Sequence, residues 1–438
     1  MKARLVPVYF RSGRDEEFDT QLKRLKAMLS TEAEIAEPVP LGSDIASADA
    51  ALFPQLLGDA YKQISHIKRI DVPVLVVTSE FGTASIWDWE IVAFLESAGV
   101  KTFAPYSLER TKRICKILRT KRELEQTKFL AFQDEPGKGF QASIFKRFFW
   151  WEERCTQLIK EKFGITIEKR SFRELAQKAK QIPDADAQGV TERRAIRTEG
   201  VSKRGLNAAI KIYIALKDEL DRDHAIRGAG INCLNESHFS DTTPCLAWSM
   251  LYEESGIMWA CEADTSSLTT EYILHKCLDV PIMMTNIYPF LMGMAALKHE
   301  RIEKFPDVQE PENHFLLAHC GYLGVLPEPF CTEWTLRPKV LAIVDDNATA
   351  IDARLPQGKI TLAKLDSSFG RLLIAEGYLE TYVQYPGSDC RNGAVIKVRD
   401  GHELIDSLYS HHICLMPGHL AKELSIVAKV LNLEIQET

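Results

Sequence analysis

Within its 438 residues the chain has no apolar run approaching the roughly 18 residues that a membrane-spanning helix needs. Its opening residues, MKARLVPVYFRSGRDEEF, reach charges after one short apolar run, unlike a secretory leader, and are expected to form a first strand. It contains no Gly-x-Gly-x-x-Gly and no P-loop sequence, so nucleotide binding has no support. None of the ten cysteines is spaced as Cys-x-x-Cys, which argues against a zinc ribbon or a thioredoxin-like site. Reduced thiols and a cytoplasmic location are the expectation. A net charge of −7 gives no general reason to expect nucleic acid or an anionic membrane as partner.

The composition, 45% hydrophobic and 26% charged, is that of a soluble globular protein, and the length is too great for one ordinary domain. The expected fold class is α/β, with two doubly wound α/β domains followed by a C-terminal β-rich, barrel-like domain, over 1–127, 128–285 and 286–438. In the first part, Arg4–Phe10, Val72–Thr78 and Thr102–Pro105 read as strands, and Glu16–Leu29, Trp87–Ala98 and Leu108–Gln126 have helical periodicity. Val72–Thr78 (VPVLVVT) has the unbroken apolar character of a parallel strand covered on both faces. In the second part, strands are expected at Phe129–Phe132, Ile165–Lys169, Ala225–Ile231, Gly256–Cys261 and Val280–Thr285, with helices at Ile144–Phe163, Lys203–Leu220, Cys245–Glu254 and Leu268–Leu278. Pro183–Gly189 reads as a polar loop. In the last part, Lys359–Leu365, Arg371–Leu379 and Gly393–Val398 are β-rich, and Leu420–Leu431 closes as a helix.

The stretch Trp259-Ala-Cys-Glu-Ala-Asp264 organises the candidate site. It reads as the end of a buried strand, a turn and the start of a helix, and ligands of open α/β sheets collect at the carboxyl ends of strands. Carboxylates two apart on extended backbone point the same way, so Glu262 suits a metal ligand and base, with Asp264 in support. Asp264 or Thr265 equally suits the N-cap of the next helix. His319 ends an apolar strand, a place for either a structural histidine or a ligand. His411, His412 and His419 form the densest histidine cluster, in neither HExxH nor zinc-finger spacing. Carboxylate with imidazole favours Mn²⁺, Co²⁺ or Mg²⁺ over structural zinc. Trp87, at a helix start, suits stacking on a sugar or plain packing, and Arg391 suits a hairpin or a contact to a substrate oxygen.

Over roughly 240–420, Thr243-Pro-Cys-Leu-Ala247, Gly256-Ile257, Ala260-Cys-Glu-Ala-Asp264 with Leu268-Thr269, Asn313–Gly321 and the C-terminal histidines resemble the L-fucose isomerase and L-arabinose isomerase superfamily, particularly its shorter members. The resemblance implies conversion of an aldose to a ketose through an enediol at a Mn²⁺-type site. It also implies a homo-oligomer, trimeric or hexameric, with active sites near subunit interfaces. It assigns Glu262 as ligand and base, His319 as a ligand, and one of His412 and His419 as the C-terminal ligand. Apart from the resemblance, Trp87, Arg391 and His411 are the residues expected to face the sugar. Asn286 stands where the family has a second acid; an amide can coordinate through its carbonyl oxygen but cannot abstract a proton. Aldose–ketose isomerase is therefore the leading expectation, with Asp264 as substitute second acid. A sugar or sugar-acid epimerase or lyase, or a non-catalytic carbohydrate-binding protein, stands beside it.

Overall fold

The computed structural model describes residues 1–10, 14–55, 58–134, 147–233, 239–293, 304–319, 326–338, 348–385 and 392–438. The chain is mixed α/β and divides into two compact units, one of 1–123 with 276–278 and one of 124–275 with 279–438. Among the described residues no helix is long and apolar enough to cross a membrane.

The first unit is built on a parallel sheet of β1 (Ala3–Tyr9), β2 (Ala33–Ile35), β3 (Val39–Pro40), β4 (Ala50–Phe53), β5 (Val74–Val76) and β6 (Thr102–Phe103). The strand order is β2-β1-β4-β5-β6, with β3 beside β1. Helix Glu16–Met28 opens on Asp15, whose side chain accepts from the Phe18 amide, and three acidic residues in its first turn oppose the positive end of its dipole. Val8, Phe10, Phe53, Val74, Val76 and Leu95 are buried in one apolar core.

The second unit begins with a four-stranded parallel sheet, β7 (Lys128–Phe132), β8 (Thr166–Arg170), β9 (Ile226–Ile231) and β10 (Met258–Cys261), in the order β10-β9-β7-β8. Two local expectations need correction here. Pro183–Gly189 is not a loop but enters helix Asp184–Arg193. Pro just before Asp184 and Asp186 in the first turn is a helix-start pattern, which the polar composition obscured. The helix expected over 144–163 starts only at Glu153, after a 3₁₀ turn at Phe149–Trp151; positions 144–146 lie outside the described residues.

The expected strand at 280–285 also changes place. It runs as β11 (Met283–Pro289) and joins no parallel sheet. It pairs antiparallel with β12 (His314–Ala318) on one side and with β18 (His412–Pro417) on the other. A strand-sized apolar run does not say which sheet receives it. Between β12 and β18 the chain forms a two-stranded ladder, β13 (Glu333–Pro338) with β14 (Thr349–Arg354), and then β15 (Gly358–Leu365), β16 (Arg371–Gln384) and β17 (Asn392–Val398). The pairings β15-β18-β11-β12-β17-β16 return to β15 and close a six-stranded antiparallel barrel, with β19 (Glu434–Glu437) added parallel to β16. Closure demands bending. β16 supplies it with a register shift between Leu379 and Thr381, and with Gly377, where a Cβ would collide with the Lys397 carbonyl.

Candidate metal centre

β10 is wholly buried, and its carboxyl end turns sharply. Glu262 and Ala263 both take left-handed backbone angles, φ +58° and +49°. That conformation costs a side-chain-bearing residue about 1–2 kcal/mol. Strain of this kind persists where surrounding contacts fix it and is often found at functional sites. The contacts are specific. The Ala263 amide donates to the Ile231 carbonyl at 2.9 Å, and the Asp264 amide to the Cys261 carbonyl at 3.0 Å. Gly230 leaves room for this turn, since a Cβ there would lie 2.9 Å from the Ala260 carbonyl oxygen and 3.0 Å from Ala263 Cα. From the 3₁₀ turn, the indole N–H groups of Trp151 and Trp150 donate to the Glu262 carbonyl at 2.7 and 3.4 Å. Thr265 Oγ1 donates to the Trp150 carbonyl at 2.8 Å. The backbone of Glu262 is thus clamped, while its Oε2 has no hydrogen-bond partner among the described residues.

Asp264 is the N-cap of helix Thr265–Leu278. Its Oδ1 accepts from the amides of Ser266 and Ser267 and from Ser266 Oγ, each at 2.9 Å. Its Oδ2 accepts from Ser267 Oγ at 2.6 Å and faces His412 Nδ1 at 2.9 Å and Lys364 Nζ at 3.4 Å. Burial by itself would raise the Asp264 pKa, but the Lys364 charge and the His412 hydrogen bond hold it well below the ordinary value. A carboxylate so fully engaged is a poor proton carrier. The expectation of Asp264 as a second acid therefore gives way to Asp264 as the group that caps a helix and orients His412.

His412 begins β18 and is fully buried. With Nδ1–H donated to Asp264, Nε2 is the nitrogen left to bind an ion once its own proton leaves, the arrangement in which a histidine is fixed for metal binding. Nε2 lies 3.7 Å from Glu262 Oε2, too far for a hydrogen bond, and neither atom has a hydrogen-bond partner among the described residues. His411 Nε2 is 3.9 Å from the same Oε2. Successive residues of a strand point to opposite faces, but His411 precedes β18, in a bend, and the two rings come within 4.1 Å. Glu262, His411 and His412 offer ligand atoms all within 4.8 Å of one another and can hold a metal ion. Orphaned, buried Oε2 and Nε2 atoms fit such an ion, because leaving them unpaired costs about 1–3 kcal/mol each.

Without an ion the groups neutralise one another. Burial would raise the Glu262 pKa, but the charges of His412, His319 and His411 bring it below the ordinary value. Burial would lower that of His412, but Glu262 and Asp264 push it up to about 9. His411 moves the other way: desolvation and the neighbouring His412 charge push its pKa down. Its ring also lies near those of Phe148 and Trp150, at 5.6 and 5.8 Å.

Other sequence candidates distribute unevenly. The His319 ring is 5.3 Å from that of His412, and its buried Nε2 has no partner among the described residues. Asn286 sits directly opposite His412 in the β11–β18 ladder and opposite Ala318 in β12. Its Nδ2 donates to the Tyr288 hydroxyl at 2.8 Å, and its buried Oδ1 has no partner among the described residues. His419 is not with this group. It lies beyond the far end of β18, where Nε2 donates to the Gly377 carbonyl at 3.1 Å. A strand rising ~3.3 Å per residue carries it roughly 20 Å from His412. Trp87 belongs to the first unit, 86% exposed, and Arg391 lies outside the described residues. Sequence reasoning missed Lys364, Trp150 and Trp151. The run Phe148-Phe-Trp-Trp151 was a visible signal for the last two, whereas a lysine in an alternating strand gives none.

Compared with models of protein families and with curated proteins, the chain matches none.

Proposed function

We propose that the protein is a metal-dependent aldose–ketose isomerase acting on a sugar. The observation that carries this is the pair of buried, unpartnered atoms Glu262 Oε2 and His412 Nε2, 3.7 Å apart, with His411 beside them. Glu262, His411 and His412 would hold the ion, with His319 and the Asn286 carbonyl oxygen as additional donors. Oxygen and imidazole donors together suit Mn²⁺, with Co²⁺ or Mg²⁺ as substitutes. When bound, the cation polarises the sugar carbonyl. The residues supply the rest. Glu262, kept ionised by its histidines, takes the proton from one carbon and returns it to the neighbour. One base on one face of a planar enediol suffices for that carbon-to-carbon transfer, and the C2 hydroxyl proton would pass to the C1 oxygen between the two neighbouring oxygens or through solvent, so Asn286 and the fully engaged Asp264 do not prevent it. Asp264 holds the His412 ring, and the Trp150–Trp151 turn holds Glu262.

A second reading is favoured by Asn286: a sugar or sugar-acid epimerase or lyase on the same scaffold, needing a single base. The reversal of strand order beside β1 supports a doubly wound first unit. A trimer or hexamer with shared active sites rests on the family resemblance and is tested by sedimentation velocity.

The test is ketose formation from a panel of aldoses with added Mn²⁺. Turnover that is lost in Glu262→Gln supports the isomerase. Absence of turnover on every aldose, with no metal retained by the protein, contradicts it. Metal retained without ketose, and Asn286→Asp gaining ketose formation, would favour the second reading.

A further inference from the structure

Helices Phe172–Gln181, Asp184–Arg193 and Lys203–Leu220 of the second unit line a cavity of about 570 Å³. This is within the range of small-molecule sites, roughly 300–1,000 Å³. Its lining shares no residue with the metal centre. Four cations and two carboxylates face it. Lys211 pairs with Asp184 at 2.6 Å and Lys180 with Asp241 at 3.3 Å. Lys203 and Arg204 remain as the positive excess. Arg204 has no ion-pair or hydrogen-bond partner among the described residues.

Both lie in the first turn of helix Lys203–Leu220, whose N-cap is Ser202, so the helix dipole adds to their charge. A charged helix start is usually just solvated, and by itself it would mean little. One turn further along the same face stands Asn207. It lines the cavity, is 7% exposed, and its side-chain amide has no hydrogen-bond partner among the described residues. The amide opens onto the cavity, where a ligand would take the place of solvent.

We propose that this cavity is a second ligand site, for a small phosphorylated molecule. The phosphoryl group would sit on Arg204 and Lys203, where a planar guanidinium, an ammonium and a helix start suit a dianion better than a single carboxylate does. A hydroxyl-bearing body would reach Asn207.

Isothermal titration of the full chain with glycerol 3-phosphate, which is not an aldose, tests this. Saturable binding of one molecule per chain is expected. Arg204→Glu should weaken it at least tenfold and Asn207→Leu several-fold. Arg222→Glu, an exposed change beyond the same helix, and Glu262→Gln, at the metal centre, should leave it unchanged. Circular dichroism establishes that each variant folds. The proposal is overturned by no saturable binding, by Arg204→Glu binding as the unaltered chain does, or by equal weakening in Arg222→Glu or Glu262→Gln. None of these readouts depends on isomerase turnover.

Discussion

His412 Nδ1 faces Asp264 Oδ2 at 2.9 Å, with both side chains completely buried. That contact joins the start of a barrel strand to the cap of a helix that follows the parallel sheet. It also decides which imidazole nitrogen is left for an ion. Asp264→Asn keeps a competent helix cap, but its amide no longer imposes the Nδ1–H tautomer. We expect Mn²⁺ affinity to fall about 10–100-fold, as when carboxylate partners of ligating histidines are removed, with little loss of helix content. Metal titration beside circular dichroism measures both.

Lys364 Nζ lies 3.4 Å from Asp264 Oδ2, and both groups are buried. Lys364→Met removes the cation and leaves an under-compensated carboxylate, which should cost about 3–5 kcal/mol in urea unfolding. The double variant with Asp264→Asn should lose less than the sum of the two single losses. Additive losses would mean the pair is not coupled.

Trp151→Phe deletes the 2.7 Å hydrogen bond to the Glu262 carbonyl and keeps most of the apolar ring. A loss of about 1–2 kcal/mol is expected, together with weaker Mn²⁺ binding, because the strained turn at Glu262 is released. Stability falling without any change in metal affinity would separate the clamp from the site.

The alternation of strand and helix, and the turn at Glu262, were legible because apolar runs and Asp-Thr-Ser-Ser are local signals. The barrel was legible only as β-rich sequence. Its closure through β15 and β16, and the capture of β11 from its expected parallel sheet, depend on partners far apart in the chain. The same limit hid the site's supports. His412 and His419 look alike in sequence, and only the course of β18 separates them. Lys364 lies a hundred positions from the aspartate it faces. The sequence suits Asp264 both to a cap and to an acid, and its saturated oxygens favour the first.

Glu271 is buried in the helix that Asp264 caps, and burial holds its pKa well above the ordinary 4.5. A carboxyl protonated in the fold but ionised when unfolded binds more protons in the native state. Its contribution to stability therefore falls as pH rises above the unfolded value. Glu271→Gln mimics the neutral form. The variant should match the unaltered chain near pH 4 and exceed it at pH 8, the gap widening by at most about 1.4 kcal/mol per pH unit. Urea unfolding at several pH values checks the slope, and a gap independent of pH would contradict a neutral Glu271.

The central claim is that Glu262, His411 and His412 share one divalent cation. Anomalous X-ray scattering at the manganese edge, from crystals grown with Mn²⁺, locates that ion directly. The expected result is one peak bonded to Glu262 Oε2 and His412 Nε2, absent in Glu262→Gln. A chain that stays free of manganese at saturating metal, or a peak elsewhere with these atoms unoccupied, would contradict the account.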